Sequence, residues 1–412
     1  MANSNQRRFN VSFNPFKERG IAVDKQLRNW QELNVKPYDK NEAHPYTKAR
    51  IILMNGVEVE GAIFSHQFAR NCNDPELKKQ LALTRRVEQQ QQKTINWLSP
   101  GDESPLETTI GYEQVAVDLT AFLAANVPDP YVKQVFDFGL LEDFDHLYRY
   151  ANLLEMTQGV KAEKLVGKLT EITPGRPTIK EHRHPFDDVR KPMNRMAADP
   201  LTKLYTLTLV AGEQQTMNFY MNIGNTLQDQ VGRGLYQEIA MIEEQHVTQY
   251  ESLLDPQTPW IENALLHEYN ECWLYWSFLQ EETDRHVKPI WELHLGMELT
   301  HLQNLGKIAG KMGVDLDQVL PQSLPAPLQF KSQVNYVREI LATQIDYNAF
   351  ETEIGPPDQL PENRRYVECQ DLLNAQGAPS EEVIKMNQRK NGQDYRLELA
   401  GQHPVKELRQ KK

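Results

Sequence analysis

Apolar residues recur at intervals of three and four through long stretches of this chain, the spacing that gathers them on one face of a helix. Ala240, Glu243, Val247, Tyr250 and Leu254 form one such stripe. Leu265, Glu268, Cys272, Tyr275 and Leu279 form a second, and Trp291, Leu295, Glu298, Leu302, Leu305 and Ala309 a third. Alternating strand patterns are sparse, so the chain is predicted to be all-α. A shorter stripe, Val334, Val337, Leu341 and Ile345, predicts a helix that docks on the main body or on a partner subunit, which leaves a homodimer open.

The long stripes carry glutamates at core positions, and these fall into a pattern. Glu213 precedes Glu243 by 30 residues, and Glu243 opens Glu243-Glu244-Gln245-His246. Glu268 likewise precedes Glu298 by 30, and Glu298 opens Glu298-Leu299-Thr300-His301. Glu-x-x-His on a helix places both side chains one turn apart on one face. Thirty residues is about 45 Å of helical path, enough for a hairpin that returns to the same height. An unpaired buried carboxylate costs several kcal/mol, and four in one bundle also repel one another. Two divalent cations would neutralise them, with the histidines completing the ligand set.

The pattern sits in an internal repeat of 155 residues. Lys36-Pro37 aligns with Lys191-Pro192, Glu58 with Glu213, Glu88 with Glu243, Glu113 with Glu268 and His146-Leu147 with His301-Leu302, without a gap. The first copy differs where Gln91 matches His246, Asp143 matches Glu298 and Ala116 matches Glu271. Glutamine is a poorer metal ligand than imidazole, and aspartate reaches one methylene less far. The set Glu58, Glu88, Gln91, Glu113, Asp143, His146 therefore reads as a degenerate or single-metal site, a metal-free bundle, or a second dinuclear site. The second copy is expected to do the chemistry.

Together these residues resemble the ferritin-like diiron-carboxylate superfamily, in which two helices each give a glutamate and two each give Glu-x-x-His. Glu213, Glu243, His246, Glu268, Glu298 and His301 match its six positions, and Glu271 looks like the additional carboxylate of the rubrerythrin branch. The resemblance implies two tandem four-helix bundles. Residues 1–34 form an extension, 35–166 the first bundle, 167–189 a linker, 190–320 the second bundle, and 321–412 a helix and polar tail. It also implies two iron ions, with manganese suited to the same ligands, and an oxidoreductase that uses oxygen or peroxide. The alternatives are a ferroxidase or metal-handling protein, or a non-catalytic scaffold. One departure is the short interval from His246 to Glu268, 22 residues broken by Asp255-Pro256-Gln257-Thr258-Pro259. Family members have a long crossover there, so up-down-up-down connectivity and pairing between non-adjacent hairpins both stay open.

Composition narrows the picture. A net charge of −12 argues against a general nucleic-acid partner. No run of eighteen apolar residues suggests a membrane span, and the start lacks a signal-peptide hydrophobic region, so a cytoplasmic protein is expected. Cys72, Cys272 and Cys369 are too dispersed for a Cys-x-x-Cys knuckle, so electrons would come from an external donor. The aromatics Phe9, Phe13, Phe16 and Trp30 are expected to pack the extension on a neighbouring surface. His182 and His184 lie in a turn-rich linker and read as exposed. Beyond Gly355-Pro356-Pro357 a solvated tail is expected, ending in Arg409-Gln410-Lys411-Lys412.

Overall fold

The computed structural model describes residues 13–321, 323–396 and 403–409. Residues 1–12, 322, 397–402 and 410–412, which include Phe9 of the extension and the end of the tail read above, lie outside these. Eight long helices dominate: α1 (Pro45–Asn71), α2 (Pro75–Trp97), α3 (Pro105–Asn126), α4 (Pro130–Gln158), α5 (Pro200–Ile223), α6 (Gln230–Glu251), α7 (Trp260–Glu281) and α8 (Lys288–Lys311). The fold is all-α, as the periodicity predicts. Among the described residues the strands are confined to one short antiparallel pair, β1 (Asn348–Phe350) and β2 (Glu353–Gly355). Among those residues no helix is long and apolar enough to cross a membrane.

The helices begin where local chemistry allows. A short polar side chain accepts from the free N–H groups of the first turn, and a proline occupies a position where no N–H is missed. Asp74 does this before Pro75, Asp129 before Pro130 and Asp199 before Pro200, while Ser104 and Glu107 form a capping box around Pro105. α1 and α5, α2 and α6, and α3 and α7 start 155 residues apart (45 and 200, 75 and 230, 105 and 260). Helix boundaries thus keep the register of the sequence repeat.

Consecutive helices fold back as four hairpins, but the hairpins do not pair in chain order. The first, α1–α2, faces the fourth, α7–α8. Between them Gln91 donates to Glu298 at 2.6 Å, His267 meets Glu60 at 3.0 Å, and Phe64 stacks on His267 with ring centres 4.3 Å apart. The second, α3–α4, faces the third, α5–α6, through His146 and Glu243 at 3.1 Å and His246 and Glu142 at 2.9 Å. Each packed group of four helices thus takes one hairpin from residues 35–166 and one from 190–320. Boundaries drawn along the two copies do not follow this packing. The partners that meet are matched in shape: a Cβ on Gly61 would lie 2.9 Å from Glu271 Oε1, whereas the equivalent pair in the other group is Thr216 and Ala116. A small residue stands opposite a long one in the first group, and the assignment is reversed in the second.

Two other segments depart from expectation, and a third does so in part. The linker is not an exposed tether: Glu181, His182 and Arg183 are buried against His146, Glu238 and Glu142 of the second and third hairpins, and Asp187 is buried under Asn363 and Arg365. His184 caps the turn at Phe186. Residues 355–396 are not a solvated tail: they form α10 (Arg364–Leu373) and α11 (Pro379–Asn391), which follow α9 (Val334–Gln344). Ser380 at the start of α11 is held by both oxygens of Glu238, and Asn387 donates to Asn152, so α11 rests on α6 and α4. In the N-terminal segment Phe13 stacks on Trp276, as an extension packed on a neighbouring surface should, while Trp30 is exposed.

The two groups of helices meet through α1 and α5. Gly56 and Ala211, equivalent positions of the repeat (56 + 155 = 211), touch there, and a Cβ on Gly56 would lie 2.9 Å from Ala211 O and 2.6 Å from Gln215 Oε1. Gln215 is itself fixed, donating to Tyr112 at 2.6 Å and to Ile52 O at 3.2 Å. Gly56→Ala is therefore expected to destabilise the protein by about 1–3 kcal/mol, as overpacking does. Chemical denaturation measures this, and an unchanged midpoint would contradict the close α1–α5 approach.

Candidate metal centres

The out-of-order pairing redistributes the candidate ligands. Glu213, Glu243 and His246 do not share a site with Glu268, Glu271, Glu298 and His301. Instead two clusters form, each drawn from both copies. Centre I lies between the first and fourth hairpins. There Glu88, Glu268 and His301 bring ligand atoms within 4.8 Å of one another, and Glu58, Glu271 and Glu298 do the same. Centre II lies between the second and third hairpins. It consists of Asp143, Glu213, Glu243 and His246, and of Glu113, His146 and Glu243, by the same measure of 4.8 Å. Glu243 belongs to both halves of centre II, as a bridging carboxylate would.

This arrangement accounts for the residues that made the first copy look degenerate. Gln91 stands in centre I where centre II has His246, and Glu271 stands in centre I where centre II has Ala116. The carboxylate that centre II lacks therefore belongs to the centre whose imidazole is missing. Gln91 serves instead as a support, donating to Glu298 at 2.6 Å. Each centre then has six potential donors: five carboxylates and one imidazole in centre I, four carboxylates and two imidazoles in centre II.

Donor chemistry tests whether metal ions fit. Glu58 Oε2, Glu268 Oε2 and Glu271 Oε2 in centre I are buried and have no hydrogen-bond partner. The same is true in centre II of Glu113 Oε2, Asp143 Oδ2 and Glu213 Oε2, while His246 Nδ1 lies 3.3 Å from Asp143 Oδ1 and 3.4 Å from Glu243 Oε2 without forming a well-directed hydrogen bond to either. Buried polar atoms in that number are costly unless something else satisfies them. They converge, and they are of the types that bind iron, manganese or zinc.

Residues around the donors orient them. His146 turns Nδ1 toward Glu243 and gives Nε2 to Glu181 at 2.8 Å; His246 gives Nε2 to Glu142 at 2.9 Å. Glu142 is in turn held by Arg183. A carboxylate behind an imidazole fixes its ring orientation and raises its basicity, as metal-binding histidines require. In centre I the corresponding partner is a neutral amide. His301 Nε2 meets Gln26 Oε1 at 2.7 Å, and Gln26 donates to Ile21 O at 2.8 Å. Tyr275 donates to Glu58 and Tyr220 to Glu113, one tyrosine per centre. Tyr275 also meets His294 Nδ1 at 3.1 Å. Trp273, Trp276 and Phe278, neighbours of Tyr275 on α7, are buried core.

None of Glu142, Glu181, Arg183 or Gln26 was singled out by the ligand pattern. Glu142 and Asp143 are adjacent acids on a largely apolar helix, and Glu181 and Arg183 are opposite charges two residues apart. Those are the signals the sequence offered.

The charges show what the centres do without cations. Burial pushes Glu58, Glu268 and Glu271 well above the usual carboxylate range, reinforced by the other glutamates of the centre, and takes Glu88 up to about 7. Burial works the same way on Glu113 and Glu213. Burial disfavours the charged form of His146 and His246 too, but the carboxylates around them outweigh it and hold both well above the ordinary histidine value. Protons thus stand in for cations.

Stability of the metal-free protein should follow. Besides Glu88, burial takes Asp118 up to about 7 and Glu181 up to about 8. The folded protein therefore holds protons that the unfolded chain has released above about pH 4.5, where free carboxylates ionise. Stability is then fully present below that pH and is lost as pH rises through 7 to 8. Glu142, Glu243 and Glu298 have lowered values and act in the opposite sense, but only on acidification below the usual carboxylate range. The thermal midpoint of metal-free protein should fall between about pH 5 and 8, and metal loading should flatten the trend because binding displaces protons. A midpoint that rises over this interval without metal would contradict the assignment.

Comparison with protein-family models, with curated proteins and with solved structures finds no match, so what these centres do must be argued from their own geometry.

Proposed function

We propose that this protein is a non-haem oxidoreductase with two carboxylate-rich dinuclear metal centres of the ferritin-like kind, which uses oxygen or peroxide as oxidant. The observation that carries the reading is the convergence, in each of two helical clusters, of six donors, all but Glu268 buried, several of whose oxygens have no hydrogen-bond partner. Iron is the first candidate, and manganese suits the same ligands. When bound, a pair of iron ions supplies two one-electron changes at one place, which is what two-electron reduction of peroxide requires.

The chain's own residues would do the rest. Glu88, Glu268 and His301 would hold one ion of centre I, and Glu58, Glu271 and Glu298 the other. In centre II, Glu113 and His146 would hold one, Asp143, Glu213 and His246 the other, with Glu243 between them. Glu142 and Glu181 keep both imidazoles of centre II turned inward. Tyr275 and Tyr220 each hold a proton against a carboxylate, at Glu58 and Glu113. The dispersed cysteines offer no built-in cluster, so electrons would come from a separate donor.

The test is anaerobic ferrous titration followed by oxygen or peroxide. The expected result is about four irons per chain, retained through gel filtration and oxidised with a change in the near-ultraviolet. Zinc retained in preference to iron, with no oxidation, would leave a structural role. Failure to retain any metal would overturn the proposal. If ferric iron accumulates as product rather than returning to the ferrous state with an added reductant, the activity is that of a ferroxidase.

A further inference from the structure

The two centres differ in their access to solvent, and the difference is built from residues that are not ligands. A cavity of about 50 Å³ reaches centre I, lined by Ser65 and Thr84 near the surface and by Glu88, Glu268, Glu271 and His301 at its inner end. Ser65 and Thr84 are half-buried, and so is Glu268, whose side chain is 13% exposed. By volume the cavity admits a few waters or a small ion. It falls well short of the roughly 150 Å³ that accepts a benzene ring.

Among the described residues, the donors of centre II line none of the main cavities. Asp143, Glu113, His146, Glu243 and His246 are fully buried. The linker closes the side on which the imidazoles point outward, since Glu181 holds His146 and Arg183 holds Glu142, and all four are buried. The nearby depression of about 400 Å³ is lined by Tyr220, Gly224 and Tyr236 and by none of the donors of centre II. Tyr220 stands between that depression and Glu113. On its corresponding side centre I meets the N-terminal segment that presents Gln26, beside a cavity of about 220 Å³ lined by Gln26, Gln91 and His294 and by none of the donors of centre I.

Resting on the dinuclear-metal reading above, we infer that the centres divide the work. Centre I exchanges metal and small oxidants with solvent through the passage between Ser65 and Thr84, and centre II is sealed and retains its metals. Two copies of one ligand pattern would thereby give one working centre and one fixed centre. This reverses the expectation that the second copy alone does the chemistry, because both centres contain residues of both copies.

The experiment uses the full chain loaded anaerobically with ferrous iron and mixed with an excess of a coloured ferrous chelator. Release is expected in two phases of similar amplitude separated by more than about tenfold in rate. Thr84→Trp, which fills the passage without altering a donor, should slow the fast phase at least about tenfold and leave the iron content unchanged. Met241→Trp, beside the depression near centre II, should change neither phase. If Thr84→Trp fails to fold, Ser65→Phe tests the same passage with the same expectation. A single phase for all the iron, or a fast phase untouched by blocking the passage, overturns the division of labour. Failure to retain iron at all is a different result, and it strikes the dinuclear reading itself.

Discussion

Carboxylates buried without a countercharge are the constraint around which this protein is built. Nine of them are donors in the two centres: Glu58, Glu88, Glu268, Glu271 and Glu298 in one, Glu113, Asp143, Glu213 and Glu243 in the other. No helical core accommodates such a set as bare anions. The structure relieves part of the charge with imidazoles and part with tyrosine and glutamine donors, and the remaining oxygens are left facing one another. Cations would complete the arrangement, and without them protons are drawn in at the cost of stability at neutral pH. Hairpin pairing, linker path and N-terminal strap all serve to place these groups.

The exchange of hairpins between copies follows from the same constraint. After duplication of a two-hairpin unit, either second hairpin can pair with either first one, since the backbones are equivalent. What differs is the side chains. Glu271 occupies the space that Gly61 leaves, in the centre where Gln91 donates to Glu298, whereas Ala116 and Thr216 hold the equivalent positions in the centre that has His246 and a second imidazole. The glutamine that takes the place of an imidazole, Gln91, is answered by the extra carboxylate Glu271 on the hairpin it faces. Each packed pair of hairpins is therefore built across the repeat, one hairpin from each half, around two unlike clusters of donors.

Much of this was legible in the sequence. The three-and-four spacing gave the helices, the proline and aspartate caps mark their starts, and the recurrence of Glu-x-x-His identified the ligand types at Glu243, His246, Glu298 and His301. Which donors share a centre was not legible, because a 155-residue repeat makes the two pairings equivalent in spacing. The compensation between Gln91 and Glu271 was visible in the alignment of the copies, but it becomes meaningful only when both residues belong to one centre, around Glu298. Residues behind the ligands escaped notice for a different reason. Glu181 and Arg183 lie in a segment whose glycines and prolines read as an exposed linker, and their burial depends on long-range ion pairing that local composition does not encode.

The most direct test of the account is diffraction from metal-loaded crystals at the absorption edge of iron or manganese. The account predicts two pairs of anomalous peaks, one among Glu58, Glu88, Glu268, Glu271, Glu298 and His301, the other among Glu113, Asp143, His146, Glu213, Glu243 and His246, with each pair about 3.5–4 Å apart as in other dinuclear sites. A single pair held jointly by Glu213, Glu243, His246, Glu268, Glu298 and His301, or no peak within either cluster, would contradict it.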